Sequence, residues 1–138
     1  MSEKREIIAE YSVEVGKLIV DSSRIIEMRF NEEYLIDLNN LKEVQNHIDN
    51  LAKSNDLYIL VIPGPGGNIT KEAREAPMFE NHRTKAIAII ATLMHQRILG
   101  NLYFKFRKAH FTNYKLFKSE QSAREWLLLQ IPEKTNLS

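Results

Sequence analysis

Leu57-Tyr58-Ile59-Leu60-Val61-Ile62-Pro63-Gly64-Pro65-Gly66-Gly67-Asn68-Ile69-Thr70, running into Lys71-Glu72-Ala73-Arg74, is the stretch on which the fold turns. Leu57 to Ile62 carries no charge and reads as a strand buried on both faces, as in a parallel sheet. Two prolines and three glycines end it, and Thr70 is placed to cap a helix. A strand that runs through a glycine-rich turn into a helix N-terminus is where α/β proteins hold phosphates, phosphorylated side chains or small ligands. It is equally the ordinary way of joining a strand to a helix.

Upstream, Tyr11, Val13 and Val15 alternate with Ser12 and Glu14, and Leu18-Ile19-Val20 continues the strand past a bulge or bend expected at Gly16. Asp21-Ser22-Ser23 reads as a turn. Ile26, Met28 and Phe30, alternating with Glu27 and Arg29, read as an antiparallel partner with one wet face, which Leu35-Ile36 briefly extends. Asp37, or Asn39 or Asn40, caps a helix whose inner face is Leu38, Leu41, Val44, Ile48, Leu51 and Ala52.

Downstream, the helix after Thr70 must be short, because Pro77 cannot sit unstrained in a helix interior. Lys85 to Thr92 is the next strand, and Met94 to Lys108 reads as an amphipathic helix. Asn113 to Phe117 is the last strand. Ser119 caps a final helix that buries Ala123, Trp126 and Leu127 and stops at Pro132. This order gives an α/β fold, a single domain with a mostly parallel sheet built from four strand-helix units and an extra N-terminal antiparallel strand. Residues 1–8 are expected to be a flexible lead-in, 9–131 the domain and 132–138 a C-terminal tail.

With 138 residues, 43% apolar and 27% charged, the chain can bury a proper core as one soluble domain. No apolar run reaches membrane-spanning length, so no transmembrane segment is expected, and Met1 to Ile8 is too charged for a signal peptide. The absence of cysteine removes disulfides and thiolate nucleophiles and points to the cytoplasm. No two histidines have metal-ligand spacing, Glu32-Glu33 reads as a surface corner and Ser22-Ser23 as a turn. No enzyme activity, metal or cofactor is therefore expected.

The last third carries a resemblance. Gln96-Arg97-Ile98-Leu99-Gly100-Asn101-Leu102-Tyr103-Phe104-Lys105-Phe106 is followed by Thr112-Asn113-Tyr114-Lys115-Leu116-Phe117 and by Ala123-Arg124-Glu125-Trp126-Leu127. These resemble the helix, strand and Ala-x-x-Trp-Leu helix of small bacterial STAS-like proteins, relatives of the anti-sigma-factor antagonists. The resemblance spans Lys17 to Leu129 and implies a non-catalytic regulatory or ligand-binding domain, for which a protein partner is the first expectation. In the kinase-switched members the phosphorylated serine starts the helix after the central strand. The matching position is Thr70, with Asn68, Gly66 and Gly67 beside it, although Pro-Gly-Pro-Gly-Gly stands where those members have Asp-Ser-Ser-Gly.

A second candidate site is electrostatic. All eighteen acids lie outside the stretch from Asn81 to Ser119, which holds Arg83, Lys85, Arg97, Lys105, Arg107, Lys108, Lys115 and Lys118. Tyr103, Phe104 and Phe106 are interleaved with these bases. Arg97, Lys105, Arg107 and Lys108 would form a patch for an anionic lipid or a small apolar-tailed ligand, with nucleic acid the weaker expectation. The alternative is a solvated helix face with its aromatics turned inward. A sheet edge or the aromatic patch could also pair two chains as a homodimer.

Overall fold

The chain enters through an antiparallel meander of β1 (Ile7–Val13), β2 (Gly16–Asp21) and β3 (Ile25–Phe30). The computed structural model describes residues 6–52, 55–76, 83–93 and 113–132. Two findings correct the sequence expectation here. The chain reverses at Glu14-Val15, so that Val13 pairs with Gly16 and two antiparallel pairings precede the parallel part instead of one. The irregularity expected at Gly16 lies instead between Ile7 and Ala9, and β1 begins within the stretch read as a lead-in. Gly16 is needed for close approach: a Cβ there would lie 2.2 Å from the Arg29 carbonyl oxygen.

β4 (Glu33–Ile36) follows, then α1 (Leu38–Ala52), β5 (Leu57–Ile62), β6 (Gly66–Ile69), α2 (Lys71–Glu75), β7 (Thr84–Ile90), β8 (Asn113–Phe117) and α3 (Glu120–Gln130). β3, β5, β7 and β8 pair in parallel, giving one six-stranded sheet in the order β1-β2-β3-β5-β7-β8. β4 and β6 leave that sheet and form a separate two-stranded parallel one. Leu35-Ile36 therefore does not prolong the β2–β3 pairing, and the glycine-rich stretch read as a turn is half strand. The helix expected from Met94 to Lys108 lies outside the described residues.

The helix ends follow from local chemistry. Asp37 and Asn40 cap α1 reciprocally, the Asn40 N–H donating to Asp37 Oδ1 at 2.8 Å and the Asp37 N–H to Asn40 Oδ1 at 3.1 Å. Ser119 accepts from the Ser122 N–H at 3.2 Å and starts α3. Ala76 is extended, at φ −86° and ψ 153°, as the residue before a proline prefers, and α2 ends there.

Alternation on β5 feeds two cores. Leu57, Ile59 and Val61 join Leu18, Met28 and Ile48 on the α1–α2 side, while Tyr58 and Leu60 join Ala86, Ala88, Ala123 and Leu127 on the α3 side. The small alanines of β7 let α3 lie close to the sheet. Leu38, expected on the inner face of α1, is 43% exposed.

The face of β3 expected to be wet is closed at Glu27 and open at Arg29. Glu27 and Asp21 are each 1% exposed, and Arg124 of α3 reaches both, its Nη1 donating to Asp21 Oδ2 at 3.1 Å and its Nη2 to Glu27 Oε1. Arg29 Nε donates to Glu27 Oε2 at 2.8 Å, and Glu120 sits between the two arginines. Burial pulls the Arg29 guanidinium down, but the Glu27 and Glu120 carboxylates outweigh it and hold it above its ordinary value. Ser23 donates its N–H and its hydroxyl to Asp21 Oδ1. α3 is thus tied by charge to the antiparallel half of the sheet and by apolar packing to the parallel half.

Candidate interaction face at the glycine-rich segment

β5 delivers the chain to Pro63-Gly64-Pro65 at the carboxyl end of the parallel strands, the end at which open α/β sheets bind ligands. There the chain turns back onto the corner that follows β3. The Gly66 N–H donates to the Glu32 carbonyl at 2.8 Å and the Thr70 N–H to the Ile36 carbonyl at 2.9 Å, bracketing the β4–β6 ladder. The glycines make this approach feasible. A Cβ on Gly64 would lie 1.9 Å from the Asn31 carbonyl oxygen, one on Gly66 2.8 Å from Glu33 Cγ, and one on Gly67 2.0 Å from Tyr34 Cζ.

Tyr34 is the side chain around which the segment is built. Its ring lies over Gly67, its register partner, and stacks on Phe30 with centroids 4.6 Å apart. Burial pushes its hydroxyl up to about 12, against the opposing pull of a main-chain hydrogen bond from Gly64. Tyr34, Ile36 and Ile69 pack onto the α1–α2 core. The alternate residues look outward: Glu33, Gly66 and Asn68 are exposed, and Leu35 is 54% exposed. Leu38, at the start of α1, adds a second exposed apolar side chain.

Thr70 is half-buried at φ −68° and ψ 159°, and its Oγ1 accepts from the Ala73 N–H at 3.1 Å, the geometry of an N-cap. Asn68 turns its Oδ1 back to accept from the Ile69 N–H at 2.9 Å. Gly66, Gly67, Asn68 and Thr70 therefore share one segment, as sequence reasoning placed them, but as a paired strand and cap. Arg97, Lys105, Arg107 and Lys108 lie outside the described residues. Of the remaining bases in that stretch, Arg83 is paired with Asp56 at 3.4 Å, and the Lys115 ammonium stands 5.5 Å from the Phe117 ring centroid. Among the described residues no group of three or more His, Asp or Glu is placed to hold a metal ion.

Sequence reasoning missed the β4–β6 pairing, and with it Tyr34 and Leu35. The available signal was the short β-prone run Tyr34-Leu35-Ile36 ahead of the α1 cap.

The architecture is that of a mixed α/β domain with a mostly parallel six-stranded sheet. Residues 19–129, well over half of the chain, match the family described as Domain of unknown function (DUF7793), and the chain belongs to that family. No curated protein and no solved structure matches it. Among the described residues no helix is long and apolar enough to cross a membrane.

Proposed function

We propose that this protein is a non-catalytic, STAS-like regulatory module of the cytoplasm that binds a protein partner through the outer face of β4 and β6. The observation that carries this reading is the exposure of Leu35 and Leu38, 54% and 43%, beside a segment whose main chain is pinned. Large apolar side chains held outward on a rigid support are what a protein partner can bury at little entropic cost. The resemblance carried by Gln96 to Phe106, Thr112 to Phe117 and Ala123 to Leu127 supports the regulatory class.

The test is a photo-crosslinking residue placed at position 35, with a second protein carrying it at Asn46 on the exposed face of α1. Irradiation in the source cell should give a discrete adduct from position 35 that Leu38→Asp suppresses, and none from position 46. No adduct at 35, or the same adducts from both positions, would refute the interaction reading.

A further inference from the structure

The two strands of the small sheet differ in what they leave open. In a parallel ladder, alternate residues turn their main-chain groups toward the partner strand and the residues between them turn theirs away. Since Glu32 and Ile36 accept from Gly66 and Thr70, the intervening Glu33 and Leu35 present their N–H and C=O groups to the outer edge of β4. On β6 the outward N–H groups belong to Gly67 and Ile69. The first donates to the Gly64 carbonyl at 3.4 Å and the second to Asn68 Oδ1 at 2.9 Å. The donors of the β6 edge are thus taken up from within. Among the described residues, nothing closes the β4 edge.

The edges of the large sheet carry protective features that β4 lacks. β1 is interrupted by the register break between Ile7 and Ala9, and its Glu10 is held by Lys17 at 3.2 Å. β8 has Lys115 at its centre. Breaks and lysines of this kind discourage strand addition. β4 has no lysine, proline or bulge, and it displays Leu35 next to the exposed acids Glu32 and Glu33.

We propose that the outer edge of β4 takes up an extended segment of the partner as a third strand. That segment carries an apolar residue to lie against Leu35 and a lysine or arginine opposite Glu32 and Glu33. The main-chain bonds come from Glu33 and Leu35, and the acids select the charge. A second copy of this chain is the poorer occupant, because β4 against β4 would crowd four acids onto one short strand pair. The inference rests on the interaction reading above and adds to it the mode of binding and the class of partner.

The probe is the acetylated, amidated peptide Thr-Val-Lys-Val-Lys-Val-Thr, titrated into the isotope-labelled full chain while amide shifts and hydrogen exchange are followed. Strand addition requires the Glu33 and Leu35 amides to shift and their exchange to slow, with the Gly67 and Ile69 amides unchanged. The Glu32→Lys/Glu33→Lys protein should bind the peptide roughly tenfold more weakly at low salt. No shift at millimolar peptide, or slowed exchange on β1 or β8 instead, would overturn the inference. If the Leu35 and Leu38 methyl groups shift while Glu33 and Leu35 exchange at their free rates, strand addition fails and the interaction face survives. Loss of the position-35 adduct would instead remove the interaction reading itself.

Discussion

The two sheets of this molecule are built to opposite specifications. The six-stranded sheet is covered on both faces along β5 and β7, which are accordingly almost wholly apolar, and where charge is buried, at Asp21 and Glu27, Arg124 is brought across to match it. The two-stranded sheet is covered on one face only, by the α1–α2 core onto which Tyr34, Ile36 and Ile69 pack, its Tyr34 ring requiring a glycine beside it, and it turns Glu33, Leu35 and Asn68 outward. The first sheet holds the molecule together. The second is a surface supported by it, in which glycine serves for close packing and not for freedom of the chain.

The sharpest way to break this contrast is at the charged part of the large sheet. Arg124→Met should take from the buried Asp21 and Glu27 carboxylates the guanidinium they share, leaving Glu27 to Arg29, and cost about 3 kcal/mol in urea unfolding at neutral pH. Arg124→Lys should recover only part of that, since one ammonium cannot serve Asp21 and Glu27 with the spread of a guanidinium. A loss below about 1 kcal/mol for Arg124→Met would show the cluster to be solvated.

The small sheet is expected to respond more mildly and locally. Gly67→Ala places a methyl group within bonding distance of the Tyr34 ring, which must then move, at a cost of about 1–3 kcal/mol. If that displacement is the whole effect, Gly67→Ala should cost much less in a Tyr34→Ala background, which a double-mutant cycle reads directly.

Tyr34 also gives the small sheet a pH signature. Its folded value of about 12 lies above the ordinary 10.0, so across that window the folded state keeps a proton that the unfolded state releases. Stability is therefore intact below pH 10 and falls as the pH rises through the window, by about 1–2 kcal/mol after allowance for partial exposure. Burial and the nearby Asp56 carboxylate push the Tyr58 hydroxyl upward as well, so wild type and Tyr34→Phe share that loss. The difference between their alkaline unfolding curves isolates Tyr34, and coincident curves would place its hydroxyl in water.

The smallest expected effect returns to the large sheet. Arg24, closing the β2–β3 turn, is held at φ 77°, a conformation that suits glycine. Arg24→Gly should leave stability unchanged or raise it by up to about 1 kcal/mol.

How much of this was legible in the sequence varies with how local the cause is. β5 and β8 stand where an apolar run and flanking turn signals put them, and Ser119 and Thr70 cap the helices they precede. The hairpin at Glu14-Val15 was hidden because neither residue is a turn former, and the glycine that makes it feasible acts across the sheet, at Arg29. Glu27 looked solvent-facing because Arg124, the cation of α3 that closes over it, lies 97 residues further along the chain. The candidate site was located to the right segment, but its form was hidden by glycine itself. A glycine that frees a turn and a glycine that admits an aromatic ring are written with the same letter.

Amide hydrogen exchange of the free protein, resolved at Gly66 and Thr70 against Glu33 and Leu35, distinguishes a paired β4–β6 sheet from an open loop. Slow exchange at Gly66 and Thr70 with fast exchange at Glu33 and Leu35 is the expected result, because the first pair is bonded to the Glu32 and Ile36 carbonyls and the second faces outward. Equally fast exchange at all four would mean that the glycine-rich segment is an open loop, and the supported surface proposed here would not exist.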